Sequence, residues 1–156
     1  MLTQAQIDDY NRVGAIVVPD VLSADEVQEL RRVTHEFMQK SRTVRTQDEI
    51  YDLEDSHSEN EPRVRRIKTP HAHHPVYGRL VRHPGIVSVL RDLWGRDVRF
   101  DSSKLNMKSA GFGAAVEWHQ DWAFYPHTNG RHGTGEWAAD DRPRHASRPH
   151  IRPSRR

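Results

Sequence analysis

The sequence predicts an α+β fold with an antiparallel β core. Three observations carry this. Two helix-opening boxes, Thr3 with Gln6 and Ser23 with Glu26, each precede apolar residues at three- and four-residue spacing. Two further segments, each led by a proline, read as short helices. The extended stretches rich in β-branched residues fall mostly after the helices rather than alternating with them, which argues against a parallel βαβ arrangement.

The elements follow in order. Ile7 and Tyr10 continue the first box, and Gly14 stops that helix. Ala15 to Val18, a short β-branched run ended by Pro19, is expected to be a strand. After Ser23, the residues Val27, Leu30, Val33 and Phe37 form one apolar stripe, so a helix runs to about Lys40. Residues 41–62 are polar and charge-mixed and are expected to form a mobile surface loop, a candidate lid. Arg63 to Lys68 reads as a strand. Pro75 to Arg82 and Pro84 to Leu93 read as the two Pro-led helices, the second closed by Gly95. Val98 to Met107 and Val116 to Tyr125 are extended, with Gly111 and Gly113 turning the chain between them.

Composition narrows the functional classes. With no cysteine there is no disulfide framework, thiol nucleophile or thiolate metal ligand. No run of about 18 apolar residues offers a membrane span, and the N-terminus lacks a basic region followed by an apolar core, so a cytoplasmic protein is expected. The charge is uneven. Residues 130–156 hold seven Arg against three acids, a net of +4, while the whole chain is +2, leaving residues 1–129 at −2. The basic balance therefore belongs to the C-terminal segment, and nucleic acid is not an expected partner on charge alone.

The segment V-E-W-H-Q-D-W-A-F-Y-P-H-T-N, residues 116–129, carries the chemistry. On a strand, residues two apart share a face, so His119 and Asp121 project to one side and Gln120 to the other. A neutral imidazole and a carboxylate on one face are two-thirds of the 2-His-1-carboxylate triad that holds non-haem Fe(II). A bare His-x-Asp tripeptide is more often a surface strand with two polar residues, so the context decides.

That context is R-R-I-K-T-P-H at 65–71, S-S-K-L-N-M-K at 102–108 and E-W-H-Q-D-W-A-F-Y-P-H-T-N at 117–129. Together these resemble the phytanoyl-CoA dioxygenase family of Fe(II)- and 2-oxoglutarate-dependent oxygenases, over nearly all of residues 1–129. The resemblance implies part of a double-stranded β-helix (jelly-roll) core behind the N-terminal helices, incomplete at the C-terminus. It also implies His119 and Asp121 as metal ligands for Fe(II). Lys68 falls where family members direct a lysine to 2-oxoglutarate, and a cation there would pair with a carboxylate. Gln120 and the K-L-N-M-K strand would border the same pocket. Trp118, Trp122, Phe124 and Tyr125 would be core or pocket wall. The implied activity is hydroxylation of a small organic acid, thioester or related metabolite.

Two other groups have plainer explanations. H-A-H-H at 71–74 sits at a Pro-bounded loop–helix junction and reads as solvated or supporting histidines rather than a metal centre. Arg63, Arg65 and Arg66 could grip a phosphate, such as that of a coenzyme A thioester, but a solvated strand edge accounts for them better.

Residues 130–156 break the pattern. They have neither helical nor strand periodicity, and Trp137 and Ile151 are their only large apolar residues, so a disordered Arg/Pro/His-rich tail is expected. The family resemblance calls for a second iron histidine and an arginine for the distal carboxylate of 2-oxoglutarate on later strands, and neither role is transferred to a residue of this tail. One extra base before the codon of Gly130 would account for the change, since the restored frame permits an apolar strand after Asn129. On that reading the domain ends at 129, the barrel is unfinished, turnover is impaired or absent, and open sheet edges favour self-association. The alternative expectation is a non-catalytic protein whose basic tail binds nucleic acid or another acidic partner.

Overall fold

The computed structural model describes residues 1–95 and 98–108. Five helices and three strands are present among them: α1 (Gln4–Val13), α2 (Ala24–Ser41), β1 (Tyr51–Leu53), β2 (Val64–Lys68), α3 (Pro70–His73), α4 (Pro75–Leu80), α5 (Pro84–Trp94) and β3 (Lys104–Asn106). The class is mixed α+β, with a small sheet of order β1-β2-β3, antiparallel throughout. The expected strand at 116–125 and the tail at 130–156 lie outside the described residues.

Contacts divide the chain into two compact units. In the first, which among the described residues takes in 1–21, 87–95 and Val98, α1 opens on its capping box and closes at Gly14, whose φ of 85° is the left-handed cap that glycine adopts without a Cβ clash. The α5 end of this unit is tied to α1 by Leu2 N–H donating to Asp92 Oδ2 at 2.6 Å and by Trp94 Nε1–H donating to Tyr10 O–H at 2.9 Å. The strand expected at Ala15 to Val18 is not formed. No neighbouring strand pairs with it among the described residues, and Val17 stays largely exposed, so the β-branched run serves as a connector.

The second unit, which among the described residues takes in 22–86 and 99–108, holds the main core. The Ser23–Glu26 box opens α2, which buries Val33 and Phe37 against the sheet residues Tyr51, Leu53, Val64 and Ile67 and against Val76 and Tyr77 of α4. Leu30, Met38, Val44, Ile50, Leu80, Leu105 and Met107 pack around this cluster. Each fully buried aliphatic side chain contributes about 1.5–3 kcal/mol relative to exposure, and Val33 and Ile67 are 0 % exposed. The Phe37 ring meets Tyr51 edge-on at 6.5 Å, a favoured aromatic geometry.

Residues 41–62 are not simply the loop their composition predicts. They contain β1, with Tyr51 and Leu53 in the core. The link to β2 is also fastened: His57 N–H donates to Glu54 O at 2.9 Å, and Arg42 Nη1 donates to Glu59 O at 2.6 Å. The extended stretch expected at 98–107 narrows to β3 at its end. The helix α3 was not foreseen; it is a single turn opened by Pro70, with its histidines tied to side chains around it.

Candidate functional site

The sheet separates polar from apolar residues, and a bulge makes this possible. Asp52 pairs with Arg66 and Leu53 with Val64, so Arg65 is the extra residue of β2. The bulge turns both Val64 and Ile67 into the core and leaves Arg65 exposed. Arg66 and Lys68 then share the opposite face. On β3, Leu105 faces the core, while Lys104 and Asn106 stand opposite Lys68 and Arg66. The polar face thus gathers Asp52, Arg66, Lys68, Lys104 and Asn106, three cations against one carboxylate.

Lys68, predicted to face 2-oxoglutarate, is held in place. Its Nζ lies 3.1 Å from Asp52 Oδ1 and donates to the carbonyl oxygen of Asp48. Two of the ammonium's three donors are so engaged. The side chain keeps 34 % of its exposure, so an oxygen ligand from solvent can reach the third. Immediately after it, Thr69 adopts φ 43° and ψ 48°, a left-handed conformation that is costly for a β-branched residue. Its N–H donates to Ser103 O at 3.0 Å, which fixes the sharp exit from β2 into α3.

The other groups singled out from the sequence resolve into structural roles. His71 Nδ1 is 2.6 Å from Ser103 Oγ, and its ring meets Phe100 edge-on at 4.8 Å. His73 reaches back to Thr69 Oγ1 at 3.3 Å, and His74 caps α4 by accepting from Val76 N–H at 3.2 Å. Among the described residues no group of three or more His, Asp or Glu side chains could hold a metal ion. Arg63 pairs with Glu61 at 2.8 Å, Arg66 lies 3.4 Å from Asp52 Oδ2, and Arg65 is exposed at the bulge. An open groove of about 930 Å³ runs past Glu26, Glu29, His71, Arg79, His83 and Phe100. Its charges are largely matched: His83 is 3.1 Å from Glu26, and Arg79 is 3.1 Å from Glu29. The Glu26 carboxyl is held below its ordinary range, first by the Ser23 backbone N–H and then by the Ser23 hydroxyl; burial opposes them, and His83 adds a lesser lowering.

His119, Gln120 and Asp121 lie outside the described residues. Sequence reasoning missed Asp52 and the Asp48 carbonyl, which sit in what read as a loop. The alternation of Tyr51 and Leu53 was the available signal for β1, and with it for Asp52 on the polar face.

An α+β chain with a cation-rich sheet face is the class these features define. The chain matches the model of the phytanoyl-CoA dioxygenase family over residues 10–146, and it belongs to that family. It is 36 % identical over 121 residues, 78 % of this chain and 42 % of the relative, to a probable alpha-ketoglutarate-dependent hypophosphite dioxygenase of Stutzerimonas stutzeri. It is likewise 36 % identical, over 78 % of this chain and 41 % of the relative, to an L-proline trans-4-hydroxylase of Streptomyces griseoviridis. An ectoine dioxygenase of Bordetella bronchiseptica is 28 % identical over 78 % of this chain and 37 % of that protein. The chain spans about two-fifths of the length of these curated relatives.

Proposed function

We propose that this protein is an Fe(II)- and 2-oxoglutarate-dependent oxygenase that hydroxylates a small organic metabolite. The observation that carries the reading is the His119-x-Asp121 segment, which falls within a family match spanning residues 10–146. Relatives named as dioxygenases and a hydroxylase support it. On this reading the jelly-roll core of the family is the scaffold, and the protein works in the cytoplasm.

His119 and Asp121 would supply an imidazole nitrogen and a carboxylate to the metal, two of the three donors of the 2-His-1-carboxylate set suited to Fe(II). When bound, the iron and 2-oxoglutarate together supply the oxidising chemistry, in which O₂ converts a substrate C–H to C–OH while 2-oxoglutarate becomes succinate and CO₂. The rest is the protein's own work. Lys68 pairs with a carboxylate of 2-oxoglutarate through the donor left open by Asp48 and Asp52. Gln120 would border the same pocket, and Trp118, Trp122, Phe124 and Tyr125 would serve as core or pocket wall.

Titration with Co(II), a spectroscopic stand-in for Fe(II), tests the assignment. The wild-type chain is expected to bind the ion, with the affinity falling at least about tenfold in His119→Ala and in Asp121→Ala. Equal affinity in the wild type and both variants would overturn the metal-ligand assignment.

A further inference from the structure

The Lys68 ammonium sits between two fixed acceptors, the Asp52 carboxylate and the Asp48 carbonyl. We propose that Asp52 is a positioning residue for 2-oxoglutarate, holding Lys68 so that its remaining donor is presented to a co-substrate carboxylate. The proposal rests on the assignment of Lys68 given above.

Lysine has a flexible stem, and ordering such a side chain on binding costs affinity. A lysine already held in place loses less. Asp52 can do this because it is itself held: its Oδ2 lies 3.4 Å from Arg66 Nη1, and Arg66 Nε donates to Asn106 Oδ1 at 3.3 Å. The run Asn106, Arg66, Asp52, Lys68 thus crosses all three strands on one face. The strand ends at Lys68, where Thr69, anchored to Ser103, turns the chain away. The Asp52–Lys68 pair is only partly buried, Asp52 keeping 19 % exposure, and ion pairs this accessible add little to stability. Its consequence is direction rather than strength. One carboxylate also leaves the face net positive, since Arg66, Lys68 and Lys104 lie on it together. A dianionic ligand is therefore attracted even while Asp52 keeps its place.

The test is calorimetric titration of the full 156-residue chain with 2-oxoglutarate, comparing wild type with Asp52→Ala, Asp52→Asn, Lys68→Ala and the Asp52→Ala/Lys68→Ala pair. Asp52→Ala is expected to weaken binding about three- to tenfold, the range set by ordering one long side chain. Asp52→Asn keeps an acceptor oxygen and is expected to stay within about twofold of wild type. In the Lys68→Ala background the Asp52→Ala change is expected to have no further effect, because its influence passes through the lysine. Melting curves for each variant establish that it is folded, and Asp52→Ser, which also removes the carboxylate, serves if Asp52→Ala is not. Wild-type affinity in Asp52→Ala with weakened binding in Lys68→Ala overturns the positioning role and leaves the Lys68 assignment standing. An Asp52→Ala loss that persists undiminished without Lys68 overturns it too. Undiminished binding in Lys68→Ala, or none in the wild type, overturns the Lys68 assignment and the proposal with it.

Discussion

The imidazole of His57 joins the end of α2 to the link between β1 and β2: Nε2 is 3.1 Å from the carbonyl oxygen of the fully buried Ser41. Its Nδ1 accepts from Arg63 N–H at 2.9 Å, so the neutral ring carries its proton on Nε2 and donates it to Ser41. Replacing the ring leaves two partly buried backbone groups without this partner. His57→Ala is expected to lower unfolding free energy by about 1–3 kcal/mol, measured by urea denaturation at neutral pH. A midpoint unchanged from wild type would show that water replaces both bonds at no cost.

Tyr51 makes stability fall at alkaline pH. Burial, followed by the negative charge of Asp48, pushes its hydroxyl up to about 12 from an ordinary 10. The folded state thus retains a proton that the unfolded state loses, and this contribution is full below pH 10 and lost as pH rises from 10 towards 12. Burial also raises Tyr77, against the opposing hydrogen bond with Thr34, and adds in the same direction. Melting temperatures recorded above pH 10 should fall more steeply for wild type than for Tyr51→Phe, with a residual slope from Tyr77. At neutral pH the variant should lose about 1 kcal/mol, through the missing bond from Tyr51 O–H to Phe37 O at 2.9 Å. Parallel alkaline slopes in the two proteins would contradict this.

The α2 cap has the opposite pH dependence. With the folded-state Glu26 carboxyl held low, its contribution is present above the ordinary value of 4.5 and disappears as pH falls through that range and below. Ser23→Ala removes the hydroxyl that accepts from Glu26 N–H and should cost about 1 kcal/mol at neutral pH. It should also flatten the loss of stability between neutral and acid pH, which denaturation at a series of pH values would reveal.

Ile67 lies at the centre of the main core and is 0 % exposed. Ile67→Ala should cost about 2–5 kcal/mol, read from urea denaturation. Arg65→Ala, at the exposed bulge one strand position pair away, should change stability by less than about 0.5 kcal/mol. A similar loss in both would mean that the bulge does not sort these residues to opposite sides.

What the sequence revealed follows from how local each signal is. Both capping boxes, the Gly14 stop and the Pro-led helices depend on residues within a few positions, and they appear in the structure as expected. The strand read at Ala15 to Val18 fails because strand propensity without a pairing partner makes only an extended connector. The strand β1 was hidden by its polar surroundings and by having just three residues. The candidate site shows the same division. Lys68 could be singled out from the segment around it by family resemblance. Its acceptors could not, because they meet it only through the pairing of β1 with β2, and the Arg65 bulge that sets the side-chain directions has no distinct local pattern.

The three helices inserted between β2 and β3 also bear on the order in which the chain assembles. Strands β1 and β2 are joined by a short link and can pair as soon as Lys68 is available, whereas β3 begins at Lys104. Closing the longer loop is slower in proportion to the entropy it must lose. During that interval the far edge of β2 presents free backbone donors and acceptors, the state in which another nascent chain can dock in place of β3. Slowing synthesis between residues 68 and 104 would prolong that exposure, and raising the chain concentration would increase the fraction lost to aggregation before β3 arrives.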